Sequence, residues 1–137
     1  MRIPITMCHG IITEGSGKLL PQEHFDRLIG IAWVSKNKRL GPQKSMTLME
    51  LAQLTGIPGI RFIDLQYGDT AEERRQFEDR TGTTILHDEH VDQMSDLDAF
   101  AAQVAAMDLV ISVSNTTVHM SGALGVPPWV MLHTVPL

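Results

Sequence analysis

Short, nearly continuous apolar runs alternate along this chain with segments whose apolar residues recur at helical spacing. Such runs are typical of strands that helices cover on both faces of a sheet. The pattern predicts five strands, at residues 28–34, 60–66, 83–87, 108–113 and 127–133. Helices are predicted between them, at residues 47–56, 69–82, 95–107 and 116–125. Strands joined in this way form right-handed βαβ units, so we predict an α/β, doubly wound, mainly parallel sheet of about five strands.

Local signals support these boundaries. Thr47 is followed three residues later by Glu50, which is the spacing of a capping box. Ser95 is a candidate cap for the third helix, because a hydroxyl there can accept from the free N–H groups of the first turn. Trp33 and Trp129 lie within apolar strands, which predicts that both rings pack in the core.

One domain accounts for most of the 137 residues, and we assign residues 28–137 to a Rossmann-like domain. Residues 1–27 form either an N-terminal arm or an extra strand. The sequence stops directly after the last predicted strand, without the helix that usually covers such a sheet. We therefore expect a domain truncated at its C-terminus, with its exposed sheet covered by a partner domain or by a second copy of the chain.

Composition excludes several classes of protein. Hydrophobic residues make up 43% of the chain, which excludes disorder, and no apolar run reaches the ~20 residues of a membrane span. The single cysteine, Cys8, and the absence of a signal peptide predict a cytoplasmic protein without membrane contact. A net charge of −5 argues against nucleic-acid binding. The cations Lys36, Lys38, Arg39 and Lys44 cluster in one loop, which is either only solvated or contacts a small anion.

Polar residues follow four of the predicted strands at the point where each strand ends. The carboxyl ends of parallel strands share one edge of the sheet, where ligands of such folds bind. The candidate residues are Lys36 and Lys44 after the first strand, Gln66 after the second, residues 87–90 after the third, and Ser114, Asn115, Thr116, Thr117 and His119 after the fourth.

The exit of the fourth strand carries the clearest physical signal. Residues 114–117 place short polar side chains at a helix N-terminus, where free N–H groups and a partial positive charge attract anions. These side chains either only cap the helix or hold a phosphate. His119, about one turn further on, favours the phosphate interpretation. Lys36 and Lys44 are expected to balance the charge of a diphosphate.

Other chemistries have less support. The chain contains neither the G-x-x-x-x-G-K-[ST] loop of many ATPases nor the G-x-G-x-x-G fingerprint of dinucleotide-binding domains. The residues of HDEH (87–90) are consecutive and have no nearby cysteine, so we interpret them as a solvated loop and predict no metal site. Asp64 lies within a predicted strand, which argues against a receiver-like domain with a phosphoacceptor at a strand end.

Two stretches resemble a known family. They are IGIAWVSKNKRLGPQKSMTLMELAQLTGIPGIRFIDLQYGD and LDAFAAQVAAMDLVISVSNTTVHMSGALGVPPWVML. They are similar to the C-terminal, nucleotide-sugar-binding half of GT-B glycosyltransferases. The likeness is strongest to the glycosyltransferase-like domain of bacterial tetratricopeptide-repeat proteins. It extends to the family 9 (ADP-heptose) transferases and, more distantly, to O-linked N-acetylglucosamine transferases.

The resemblance implies a role for each candidate residue. Lys36, or failing it Lys38 or Lys44, would neutralise the donor diphosphate, and Gln66 would meet the nucleotide. Residues 114–117 would line the phosphate and ribose, and His119 would stand near the sugar nucleotide. The donor is then a substrate, and no cofactor is implied. Catalytic residues stay unassigned, because the family's base normally comes from an N-terminal domain for which this chain has no room.

The sequence departs from the family at Ser114, where most members have an aspartate. A serine hydroxyl makes a weaker, neutral hydrogen bond in place of a charged one. Two functions therefore stay open. The chain is either a donor-binding domain that transfers sugar only together with a second domain or partner, or a degenerate, non-catalytic module that acts as a nucleotide-binding or interaction subunit.

Overall fold

The computed structural model describes residues 27–132, which form a parallel four-stranded sheet in the order β2-β1-β3-β4. The strands are β1 (Arg27–Ala32), β2 (Ile60–Asp64), β3 (Leu109–Val113) and β4 (Pro128–Met131). The helices are a single turn α1 (Gly41–Lys44), a 3-10 helix (Leu48–Leu54), α2 (Ala71–Thr81), α3 (Leu97–Ala105) and α4 (Thr116–Ala123). The predicted α/β class, with a parallel sheet flanked by helices, is confirmed.

The predicted strand at residues 83–87 is reduced to a single parallel bridge between Leu86 and Ile63. The residues before it bond to the end of α2 instead of the sheet. The Thr83 N–H donates to the Thr81 hydroxyl at 3.2 Å, and the Thr84 hydroxyl donates to Glu78 at 2.7 Å. The bridge still places a fifth parallel segment beside β2, on the side away from β1.

Two helix predictions change in detail. The segment after Thr47 is a 3-10 helix, and the Glu50 carboxylate accepts from the Thr47 N–H at 2.6 Å, as one half of a capping box does. The cap of α3 is Asp96 and not Ser95, because the Asp96 carboxylate accepts from the Ala99 N–H at 2.9 Å. Ser95 donates instead to Asp92.

Alternating strand residues build two apolar clusters, one on each face of the sheet. Leu28, Leu65 and Val110 pack with Phe100 and Val104 of α3. On the opposite face, residues of the 3-10 helix and α2 join the strands; this cluster consists of Ile29, Ile31, Trp33, Leu48, Leu51, Phe62, Phe77, Ile85 and Ile111. Because helices cover both faces of the sheet, a ligand can approach the sheet at the carboxyl ends of its strands.

The two tryptophans, both predicted to pack in the core, differ in their burial. Trp33 is fully buried, and its indole N–H donates to Glu73 at 2.9 Å. Trp129, by contrast, is 62% exposed, because β4 is the outermost of the strands described within residues 27–132.

Residues 1–26 and 133–137 lie outside the described range, so the expected N-terminal arm or extra strand and Cys8 are not placed. Within residues 27–132, no helix combines the length and apolar character that crossing a membrane requires.

Candidate functional site

The strand order places β1 beside β3, and the chain leaves these two strands toward opposite faces of the sheet. Ligands of open α/β sheets bind at this switch point, beyond the carboxyl ends of the strands. Asn115 joins the two strand ends here. Its Nδ2 donates to the Val34 carbonyl at 3.3 Å, and its Oδ1 accepts from the Thr117 N–H at 3.1 Å and from the Ser112 hydroxyl at 3.0 Å.

The predicted polar group after β3 therefore divides into structural and accessible members. Asn115 is the N-cap of α4, and Thr117 is buried. Ser114 is half-buried, whereas Thr116 and His119 are exposed. A ligand at the N-terminus of α4 would meet Ser114, Thr116 and His119, with Asn115 fixing the backbone beneath it.

Gln66 lies at the carboxyl ends of the strands, but its side chain forms hydrogen bonds within the protein. It is 5% exposed, and its Oε1 accepts from the backbone N–H groups of Trp33 at 2.9 Å and Val34 at 2.8 Å. These two N–H groups lie just beyond β1, where no neighbouring strand provides a carbonyl for them. Gln66 thus continues the hydrogen bonding of the sheet past its last residue.

Lys36 is held beside the loop that follows β2. Its backbone N–H donates to the Tyr67 hydroxyl at 3.1 Å, and its ammonium lies 4.8 Å from the centre of the Tyr67 ring. A Cβ built on Gly68, which has a φ of +91°, would lie 3.3 Å from the Lys36 Nζ. Lys36, Tyr67 and Gly68 line a groove of about 130 Å³ between the ends of β1 and β2. We call it the Lys36 groove.

Lys44 occupies a different position. It ends the single turn α1, is half-buried, and is not among the residues that line the Lys36 groove. Of the two predicted phosphate-binding lysines, only Lys36 therefore lines this groove.

A second polar region surrounds the end of β2. The Asp64 carboxylate is completely buried, and it accepts from the Gln66 N–H at 2.8 Å and from the Thr70 hydroxyl. Arg74 Nε lies 3.3 Å and His87 Nδ1 2.9 Å from Asp64 Oδ2. The hydrogen bond between Asp64 Oδ2 and His87 Nδ1 fixes the orientation of the His87 imidazole.

This region opens into a larger pocket of about 250 Å³, which we call the Asp88 pocket. Its walls include Tyr67, His87, Asp88, Val91 and Gln103. Asp88 is only 3% exposed; its Oδ1 accepts from the His90 N–H at 2.9 Å, while its Oδ2 is buried and has no hydrogen-bond partner within residues 27–132. An unpaired buried carboxylate oxygen carries a desolvation cost, so this atom is unusual in a native fold.

Asp92 adds a further negative charge to the same pocket. Hydrogen bonds from the Met94 N–H and the Ser95 hydroxyl lower the pKa of the Asp92 carboxyl below its usual range. Asp92 is therefore ionised at neutral pH, and the Asp88 pocket is acidic. Within residues 27–132, no three His, Cys, Asp or Glu side chains come together as a group able to hold a metal ion.

Sequence reasoning missed the residues of this second region. The motif HDEH was interpreted as a solvated loop, but His87 is half-buried against Asp64 and Asp88 is buried. Asp64 was placed inside a strand, whereas it is the last residue of β2. The available signal was a charged residue at the carboxyl end of an otherwise apolar strand.

The chain is similar to one known protein in sequence and to another in structure. No protein-family model matches the chain. Protein FlbA of Caulobacter vibrioides is 36% identical over 100 residues, which is 72% of this chain and 17% of FlbA. The crystal structure of a family 9 glycosyl transferase from Veillonella parvula superposes with a TM-score of 0.63 at 16% identity. That likeness covers 93% of this chain and 34% of the transferase chain.

The chain has a glycosyltransferase-like fold. At 16% identity the likeness to the transferase shows the fold alone, and the name FlbA states no activity. The chain spans about a sixth of the length of FlbA and a third of the transferase. What the candidate site binds must therefore be argued from its own geometry.

Proposed function

We propose that the chain is the donor-binding half of a glycosyltransferase and binds a nucleoside diphosphate sugar along the carboxyl edge of its sheet. The observation that carries this proposal is the accessible N-terminus of α4 at the switch point between β1 and β3, where Asn115 joins the two strand ends. The glycosyltransferase-like fold supports it independently.

Two features at the carboxyl ends of the strands suit a diphosphate, namely the N-terminus of α4 and the ammonium of Lys36. The free N–H groups and the dipole of α4 attract an anion, and Thr116 and His119 add exposed donors in its first turn and a half. Lys36, on the adjacent strand end, supplies the cation. In a transfer reaction these groups would stabilise the departing diphosphate, on which negative charge develops as the bond to the sugar breaks.

The acceptor and the group that activates it would come from a second domain or partner, such as the remainder of a longer protein with tetratricopeptide repeats. The donor needs no cofactor in this scheme. By itself the chain is expected to bind the donor and to transfer little or no sugar.

Ser114 favours a second candidate function, a non-catalytic module that binds a nucleotide or a partner. The half-buried hydroxyl of Ser114 stands where the resembling family has a carboxylate, and it binds a ribose or sugar hydroxyl less strongly. A donor domain should bind a nucleotide sugar at least as tightly as the free diphosphate, whereas a degenerate module should lose affinity when the sugar is present.

Calorimetric titration with uridine, guanosine and adenosine diphosphates, each with and without its sugar, tests the proposal. We expect binding of at least one of them, and Lys36→Ala should weaken it by about tenfold, or ~1.4 kcal/mol. Lys38→Ala is the matched control, since it removes the same charge from an exposed residue that does not line the groove. Absence of binding at millimolar concentration, or equal effects of the two variants, would refute the proposed site.

A further inference from the structure

Tyr67 contacts Lys36 through both its hydroxyl group and its ring. The hydroxyl accepts from the backbone N–H of Lys36 at 3.1 Å, and the Lys36 ammonium lies over the ring, 4.8 Å from its centre. Tyr67 follows β2 and Lys36 follows β1, so one side chain connects the ends of two neighbouring strands. The backbone and the ammonium of Lys36 are therefore held by the same residue.

Gly68 leaves room for this ammonium. Its φ of +91° is one that residues with a side chain rarely adopt, and a Cβ built there would lie 3.3 Å from the Lys36 Nζ. Tyr67 and Gly68 both line the Lys36 groove. The ammonium thus lies close to two residues of the groove, although Lys36 as a whole is exposed.

The charge of Lys36 is not paired with a carboxylate. Within residues 27–132, no salt bridge includes Lys36. Asp69 and Glu73 also line the groove, but they accept other hydrogen bonds: both Glu73 oxygens accept from N–H groups at 2.9 Å, and Asp69 accepts from the Ala71 N–H at 3.0 Å. These carboxylates lower the positive potential of the groove, so the ammonium attracts an anion only at short distance.

A ring and a carboxylate hold an ammonium with different consequences. A carboxylate neutralises the charge, and an arriving phosphate has to displace it. A ring attracts the ammonium through its quadrupole and carries no net charge, so the ammonium keeps its full charge and donates from the side that faces away from the ring. A lysine that is already held in place also loses less conformational freedom when it binds an anion. Tyr67 therefore prepares Lys36 for an anion without neutralising it.

We propose that Tyr67 is a positioning residue that holds the Lys36 ammonium in place for the diphosphate of a nucleotide. This inference rests on the proposed function, since the diphosphate is the ligand proposed there. It goes further in naming the residue through which Lys36 is positioned. It also explains why Lys36 contributes to binding while the nearby Lys38, which does not line the groove, does not.

Proton NMR of the free, full chain tests the contact itself. Protons above the face of an aromatic ring are shifted upfield, so we expect such a shift for the ε-methylene protons of Lys36, assigned by comparison with Lys36→Ala. Tyr67→Phe should retain the shift, and Tyr67→Leu should abolish it. Lys38 is the internal control, since within residues 27–132 no ring is found beneath its ammonium. A Lys36 signal at the same position as that of Lys38 in the wild-type protein would overturn the inference.

Calorimetry with uridine, guanosine and adenosine diphosphates tests what the contact does. Tyr67→Phe loses the hydrogen bond to the Lys36 N–H but keeps the ring, and should weaken the binding of whichever diphosphate binds by about threefold. Tyr67→Leu loses both contacts and should weaken it by about tenfold, as Lys36→Ala does. Neither change should weaken binding further in the Lys36→Ala background, because Tyr67 acts only through the ammonium.

The outcomes separate this inference from the proposed function. If none of the three diphosphates binds at millimolar concentration, the proposed function fails and the positioning role fails with it. If one binds, but Tyr67→Leu weakens binding equally with and without the Lys36 side chain, only the positioning role is overturned. Should Tyr67→Leu fail to fold by circular dichroism, Tyr67→Phe, alone and combined with Lys36→Ala, still decides the question.

Discussion

The polar residues at the end of β2 and those after β3 occupy the same edge of the sheet but differ in what holds them. After β3, Asn115 makes the structural bonds, while Thr116 and His119 project from the first turns of an exposed helix N-terminus. At the end of β2, Asp64 is buried under Arg74 and His87. The comparison shows that the polar groups at the end of β2 are buried and bonded to one another, whereas two of the polar side chains after β3 are exposed. Substitutions in the two regions should separate a structural role from a binding role.

The largest effect is expected from Asp64→Asn. Removing this buried charge leaves Arg74 without its counter-ion and weakens the hydrogen bonds with His87 and Thr70. Breaking a buried ion pair from one side costs about 3–5 kcal/mol, and the partial exposure of Arg74 brings our expectation to about 3 kcal/mol. Urea denaturation measures the change. Asp79→Asn is the control: its 65% exposed side chain pairs with an equally exposed Arg75, so no measurable change is expected there.

Gln66→Met should have the next largest effect. Methionine retains the length of the side chain but removes the acceptor of the Trp33 and Val34 N–H groups. A buried donor left without a partner costs about 1–3 kcal/mol, and because the Val34 N–H is only partly buried we expect a total loss of about 2 kcal/mol in the free energy of unfolding. Gln76→Met, on the exposed face of α2, should change it by less than about 0.5 kcal/mol. A loss equal to that of the control would show that β1 ends stably without Gln66.

The sequence predicted most of the fold because that information is local. Apolar runs such as residues 28–34 and 108–113 can be buried on both faces only as central strands, and the structure places them beside each other in the sheet. Residues 83–87 have the same local pattern, but Thr83 and Thr84 bond to the end of α2, and the backbone of Leu86 bonds to β2. Trp129 was misplaced for a related reason: its apolar surroundings in sequence do not reveal that β4 is the outermost strand.

The candidate site could be predicted only in part. The positions of Lys36 and of residues 114–119 follow from the rule that parallel strands end at one edge. The rule does not show which of these residues are structural, because Asn115 and Gln66 bond to Trp33 and Val34 just beyond β1, which are distant from them in sequence. The Asp88 pocket depends on the same kind of contact. The loop of Asp88 meets that of Tyr67 only after the chain has folded.

A smaller effect is expected from Asn115→Ala, within the region after β3. The change removes the N-cap of α4 and the link to Val34, and loss of an N-cap costs about 1–2 kcal/mol. Asn115→Asp should recover most of this stability, because a carboxylate still accepts from the Thr117 N–H. Urea denaturation of the two variants separates the cap from the link. Equal losses in both would mean that the bond to Val34, and not the cap, stabilises this end of the sheet.

The smallest change in stability, together with a clear change in binding, is expected from His119→Ala. His119 is exposed, and no side-chain hydrogen bond of its imidazole is found within residues 27–132, so unfolding should change by less than about 0.5 kcal/mol. If a diphosphate lies at the N-terminus of α4, the same substitution should weaken its binding several-fold, because a donor in reach of the anion is lost. Denaturation and calorimetry on one variant thus measure the two roles separately. An unchanged affinity would show that the diphosphate does not contact His119. A large loss of stability would show instead that His119 stabilises the fold, as the polar residues at the end of β2 do.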